Sequence, residues 1–226
     1  MTRLSRAFFT FVFVATILIG APTTHAGEVL RKPPEQPDPT AKYLFYMRGR
    51  HVERAGAHGE SNYPGALDAL ADKGLIVIGE VRLDTNPGQY ARKIAAQVNG
   101  MLQAGVPARN ITVSGFSRGG FMTLLTSSFV ENDGIKYAVM AGCGAKGTEF
   151  RRSYEQFSKR RAKLMRGHFF VAWDRTDTSA GDCDLALNAA DAVYRNQVYN
   201  AGAGHRLFYK PHPLWIDPLA AFALSD

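Results

Sequence analysis

The sequence predicts an α/β protein with a mostly parallel sheet of about six strands and helices on both faces. Short apolar runs alternate along the chain with longer stretches whose apolar residues recur at helical spacing. The chain has 226 residues, 46% of them apolar and 21% charged, enough for a single domain with a sizeable core and unlike a disordered or fibrous composition. No internal repeat, and no insertion long enough for a separate cap domain, breaks the alternation.

The first 26 residues stand apart from this pattern. Arg3 and Arg6 precede an uncharged apolar run from Ala7 to Gly20, and Thr24-His25-Ala26 offers small residues where a signal peptidase reads. Residues 1–26 are therefore expected to be a signal peptide, cleaved after Ala26. The apolar run falls short of the roughly 20 residues a spanning helix needs, and no later stretch is long and apolar enough. The expectation is an exported bacterial protein, periplasmic or secreted, with no membrane span after cleavage. Cleavage leaves 25 basic against 20 acidic residues, a net charge of +5. So mild a basic excess gives little reason to expect a nucleic-acid partner.

Residues 27–41 form an extended Pro-rich lead-in with Pro33, Pro34, Pro37 and Pro39, and residues 42–226 form the folded domain. Tyr43 to Met47 reads as a strand ending in a turn at Arg48-Gly49-Arg50. Ala66 to Lys73 reads as a helix stopped by Gly74, and Leu75 to Ile78 as a buried strand. Gln89 to Leu102 carries Ala91, Ile94, Ala95, Val98, Met101 and Leu102 on one helical face. Ile111 to Val113 is the next strand, Phe121 to Val130 the next helix, and Tyr137 to Ala141 another strand. The stretch from Arg151 to Arg166 is a basic helix whose charges spread around most of its surface, as on a solvated face. His168 to Trp173 follows as a strand, Leu185 to Tyr194 as a helix, and Gln197 to Tyr199 as a short strand. The last helix starts after Pro213.

The chain has two cysteines, and in an exported protein the pair Cys143 and Cys183 is read as a disulfide. It would tie the end of the strand Tyr137 to Ala141 to the loop after His168 to Trp173. No CxxC and no HxxxH is present, so the spacing does not suggest a metal site.

Gly115-Phe116-Ser117-Arg118-Gly119 is the informative segment. G-x-S-x-G gains weight from its context, with a strand running directly in and a helix running directly out. A serine on so sharp a turn presents its hydroxyl above the sheet edge, near the positive end of a helix dipole. Such a nucleophile needs a base further along the chain. Of the later histidines, His168 opens a strand and faces the wrong end of the sheet. His212 sits in a rigid Pro-His-Pro turn. His205, in Gly202-Ala203-Gly204-His205, has glycines that let an imidazole reach across and is the preferred base. The acid lies among Asp174, Asp177, Asp182 and Asp184.

With these motifs, residues 42–222 resemble the α/β-hydrolase superfamily in its minimal, capless form, the esterase, thioesterase and dienelactone-hydrolase-like enzymes. Gly105-Val-Pro-Ala-Arg-Asn-Ile-Thr-Val and Gly115-Phe-Ser-Arg-Gly-Gly are similar to segments of uncharacterised bacterial members. The resemblance implies a single-domain hydrolase that cleaves small esters or thioesters through an acyl-serine, without a cofactor. Relatives with a Gly-x-x-Asp pattern align their acid with Asp177, which makes it the preferred candidate. They also place an oxyanion-binding amide after a His-Gly pair. Here Met47-Arg48-Gly49-Arg50 occupies that place, so the amide would be that of Arg50, joined by that of Arg118. Arg48 in the histidine's place leaves a second reading, a binding protein with the same fold and no turnover. If Arg48, Arg50 and Arg118 cluster around Ser117, substrates bearing an acidic group should be preferred.

Overall fold

The structure is a computed structural model and describes residues 27–56, 60–83 and 85–226. The expected signal peptide lies outside the described residues. Seven strands form one sheet: β1 (Glu28–Leu30), β2 (Tyr43–Met47), β3 (Ile76–Ile78), β4 (Ile111–Phe116), β5 (Lys136–Met140), β6 (His168–Asp174) and β7 (Val193–Tyr199). Their order is β1-β3-β2-β4-β5-β6-β7, and every pairing is parallel. The helices are α1 (Arg50–Ala55), α2 (Tyr63–Ala71), α3 (Pro87–Gln103), α4 (Arg118–Ser127), α5 (Glu149–Arg161), α6 (Asp184–Ala189) and α7 (Pro213–Leu224).

Alternate residues of the strands feed two cores, as the two-residue period of a strand requires. Tyr43, Phe45 and Met47 face the layer of α3, α4 and α5, while Leu44 and Tyr46 face α2 and α7. All six residues of β4 are buried, as is every residue of α4 from Gly119 to Ser127. A strand covered on both faces reads as a continuous apolar run, as Leu75 to Ile78 does.

The sequence expectations are corrected in four places. The sheet has seven strands rather than about six, because Glu28–Leu30 of the lead-in pairs with β3 at the edge. An edge strand this short carries little local signal; the neighbouring strand supplies the pattern. The helix expected to run to Tyr194 ends at Ala189, and Asp191 takes a left-handed φ of 51°. The chain then pairs with β6 from Val193 to Tyr199, so sheet formation overrides the helical propensity of an Ala-rich stretch. The turn at Arg48-Gly49-Arg50 leads into a helix, α1, that the sequence pattern did not show. Finally, the basic helix ends at Arg161 and is not wholly solvated. Arg151 is buried and pairs with Glu155, and Arg161 stacks on Phe129 at 4.3 Å.

The strand order sets the position of the site. From β2 the chain moves outward to β3, then returns to the other side of β2 as β4. That reversal leaves a crevice beyond the carboxyl ends of β2 and β4, the usual ligand position in open parallel sheets. Met47 pairs with Gly115 there, so Arg48–Arg50 and Ser117 emerge side by side.

Candidate active site

Ser117 follows the last residue of β4 and precedes α4, with φ 56° and ψ −120°. For a residue with a Cβ this is strained backbone, held here by packing on both sides. A Cβ on Gly115 would lie 2.3 Å from the carbonyl of Gly119, and one on Gly119 would lie 2.1 Å from the Met47 oxygen. Both glycines of G-x-S-x-G are thus required by close backbone approach. The Ser117 amide donates to the Met140 carbonyl at 2.8 Å, which fixes the turn against β5.

His205 opens out of a glycine-rich loop in which Gly202 and Gly204 have φ of 66° and 56°. Its Nε2 lies 2.9 Å from Ser117 Oγ, and its Nδ1 lies 2.7 Å from Asp177 Oδ2. The ring packs against Phe116, centroid to centroid 4.7 Å. The Asp177 side chain is fully shielded from solvent. Its second oxygen, Oδ1, accepts from the amides of Ser179 at 2.7 Å and Ala180 at 3.0 Å. One carboxylate therefore caps its own turn and meets the imidazole.

The other candidates lie elsewhere. Asp174 is buried, and burial alone would raise its pKa. Hydrogen bonds from the Thr176 hydroxyl and amide and from the amides of Ala201 and Gly204 outweigh that and hold it below the usual carboxylate range. It joins the acid loop to the histidine loop and does not meet the imidazole. Asp182 pairs with Arg151, and Asp184 accepts from Asn196. His168 begins β6 at the opposite end of the sheet, and His212 caps α7 by accepting from the Leu214 amide. Cys143 and Cys183 are joined in a buried disulfide with a Cα–Cα distance of 5.3 Å. Beside it the Ala145 amide donates to Ser179 O at 3.0 Å, tying the acid loop to the end of β5.

On the other side of Ser117, Gly49 packs so closely that a Cβ would stand 3.2 Å from the serine Cβ. Arg50 begins α1 and Arg118 begins α4, and both line the same cavity as Ser117. Of the three arginines expected to cluster around Ser117, Arg48 does not line that cavity. Arg48 is 1% exposed, points into the α2 and α7 side, and lies over the Tyr63 ring at 5.1 Å. Burial lowers its pKa. Arg118 forms an ion pair with Glu53 at 2.7 Å and also donates to the Thr85 carbonyl. Arg50 alone of the three is exposed.

Sequence reasoning missed Glu53 and Arg82. The Glu53 side chain is buried, accepts from Arg118 and forms an ion pair with Arg82, and Arg82 donates in turn to the Arg48 carbonyl. The only sequence hint was an acid inside the arginine-rich segment Arg48 to Arg54.

A half-open cavity of about 330 Å³ adjoins Ser117 and Arg118. Pro87, Phe121 and Phe150 supply its apolar walls, and Phe121 and Phe150 meet edge to face at 5.9 Å. Arg50, Glu149 and Ser153 supply the polar part of its lining. Among the described residues no group of His, Cys, Asp and Glu is arranged to hold a metal.

No family model and no curated protein matches this chain. Similar solved structures are found. The dipeptidyl peptidase 4 of Porphyromonas gingivalis is 16% identical, with a TM-score of 0.53 over 85% of this chain and 32% of that one, so the chain spans about a third of its length. A lipase-esterase related protein from Clostridium acetobutylicum is 10% identical, with a TM-score of 0.53 over 81% of this chain and 93% of that one. SOBER1 of Arabidopsis thaliana is also 10% identical, with a TM-score of 0.55, covering 81% of this chain and 97% of that one. Together with the parallel sheet and its strand order, these likenesses show that the chain has the α/β-hydrolase fold.

Proposed function

We propose that this protein is a serine hydrolase that cleaves small carboxylic esters or thioesters through an acyl-serine. The observation that carries the reading is the hydrogen-bond chain from Ser117 through His205 to Asp177. A nucleophile, a base and a group orienting the base stand within bonding reach, at the carboxyl edge where the fold leaves a crevice. The Asp177 carboxylate accepts a hydrogen bond from Nδ1–H of His205, which leaves Nε2 to take the proton of Ser117 as its oxygen attacks the ester carbonyl. The amides of Arg50 and Arg118 receive the oxyanion. A donor in that position is worth roughly 10² to 10³ in kcat. His205 then gives its proton to the departing alcohol or thiol, takes another from a water whose oxygen attacks the acyl carbonyl, and returns that proton to Ser117 Oγ as the bond to the acyl group breaks.

The buried disulfide fits an oxidising compartment, and no described helix is long and apolar enough to cross a membrane. The disulfide supports the reading of an exported protein. A fluorophosphonate probe tests the chemistry, since only an activated serine reacts. Labelling at Ser117 is expected, together with turnover of short-chain aryl esters and acyl-thioesters that falls by at least ~10³-fold in Ser117→Ala. An unlabelled, inactive wild type would favour the binding protein that keeps the fold without turnover.

A further inference from the structure

We infer that Glu53 is a specificity-determining residue: it cancels the charge of Arg118 at the cavity wall, and so keeps the site from selecting anionic substrates. The inference rests on the esterase reading above. Arg118 lines the cavity beside Ser117, and its side chain is 17% exposed. A guanidinium in that position would draw a substrate carboxylate toward the reacting serine. Its charge is already engaged, because Nη1 meets Glu53 Oε2 at 2.7 Å and Nη2 donates to the Thr85 carbonyl. The Glu53 side chain is 1% exposed and lies outside the cavity lining, so it neutralises Arg118 from behind without meeting the substrate.

The remaining ionisable groups do not restore an anion preference. Arg50 and Glu149 both line the cavity and carry opposite charges. Arg82 shares Glu53 with Arg118, so the trio keeps one positive charge. The Arg82 side chain, however, is 3% exposed, lies outside the cavity lining and has its guanidinium 5.0 Å from the Tyr90 ring centroid. The His205–Asp177 pair stands at the serine itself. In a partly buried wall, where the effective dielectric is far below that of water, one uncancelled charge is enough to redirect specificity.

The test compares kcat/KM for 4-nitrophenyl hexanoate with that for its equal-length ω-carboxylate, the 4-nitrophenyl monoester of adipic acid. Spontaneous hydrolysis is subtracted. A ratio taken within one variant cancels any general loss of activity. Wild type is expected to favour the neutral ester. Glu53→Gln should raise the adipate-to-hexanoate ratio at least about tenfold at low salt, and added salt should shrink the gain. Arg118→Gln keeps the backbone amide and leaves Glu53 paired with Arg82 alone. It should move the ratio the other way, and it decides the matter if Glu53→Gln fails to fold. A ratio unchanged in either folded variant overturns the inference, as does a wild type that prefers the adipate ester in a salt-sensitive way. A wild type that turns over neither ester and resists the fluorophosphonate overturns the esterase reading, and this inference with it.

Discussion

On the histidine side of Ser117, loops are held by neutral donors around carboxylates and by a covalent link; on the side of β2, they are held by buried charges. Asp177 takes two amides and an imidazole, and Asp174 takes a hydroxyl and backbone amides from both loops. The disulfide then closes the acid loop onto the end of β5. Across the serine, Glu53 carries Arg118 and Arg82, while the Arg48 guanidinium lies buried on an aromatic face. Carboxylates satisfied by amides are cheap to bury and rigid, which suits a base that must keep its tautomer. Charges cancelled by charges are costly to desolvate, but they set the potential around a cavity.

The contrast breaks most sharply at the two buried aspartates. Asp177→Asn should lower kcat by roughly 10³ to 10⁴, since the amide no longer holds His205 in the tautomer that accepts from Ser117. Asp174→Asn should lower it less than about tenfold and act on stability instead. The Asp174 carboxyl titrates below its ordinary value when folded, so its contribution is present above about pH 4 and lost as pH falls through the folded pKa. Asp174→Asn should therefore lower the melting temperature at neutral pH and flatten the acid limb of the melting curve. Equal losses of kcat in the two variants would show that both carboxylates act on the imidazole.

The disulfide supplies the next largest effect. Cys143 and Cys183 close a loop across a sequence separation of 40 residues. In the chain-entropy model this stabilises by about 4 kcal/mol, or roughly 10 °C in a domain of this size. The variant with both cysteines replaced by serine should melt lower by that amount while keeping measurable esterase activity at low temperature. A melting temperature within a degree or two of wild type would place the rigidity of the acid loop in Asp174 and Asp177 alone.

The two sides also differ in how far they could be read from the sequence. Ser117 was legible because a strand, two glycines and a helix all lie within a few residues of it. His205 was legible because its glycines are its neighbours. The choice among Asp174, Asp177, Asp182 and Asp184 leaned on resemblance, because it depends on a turn in which the Asp177 amide bonds back to the Asp174 carbonyl. On the β2 side almost nothing local marked the arrangement. Glu53 meets an arginine 65 positions away, and α1 is a helix of six residues after a glycine. Long-range ion pairs leave no periodicity, and the arginines of that segment read equally well as loop charges. The edge strands β1 and β7 were missed or shortened for a related reason, since the pairing that defines them belongs to their neighbours.

The smallest effect sharpens the comparison most, because it concerns Arg48, a buried cation that no carboxylate among the described residues answers. Glu53 reaches Arg118 and Arg82, but no hydrogen-bond acceptor among the described residues meets the three guanidinium nitrogens of Arg48, and the Tyr46 hydroxyl nearby is likewise unbonded. The ring of Tyr63 offers a cation–π contact, worth on the order of 1 to 2 kcal/mol when desolvated. Burying the charge costs more than that. Methionine matches the length of the arginine stem and carries no charge. The Arg48 carbonyl, which accepts from Arg82, belongs to the backbone and survives the change. Arg48→Met should therefore leave stability unchanged or raise it by about 1 kcal/mol, with a melting temperature up to roughly 3 °C higher. Loss of more than about 2 kcal/mol would mean that the guanidinium is answered after all, and that both sides of Ser117 satisfy their buried polar groups equally well.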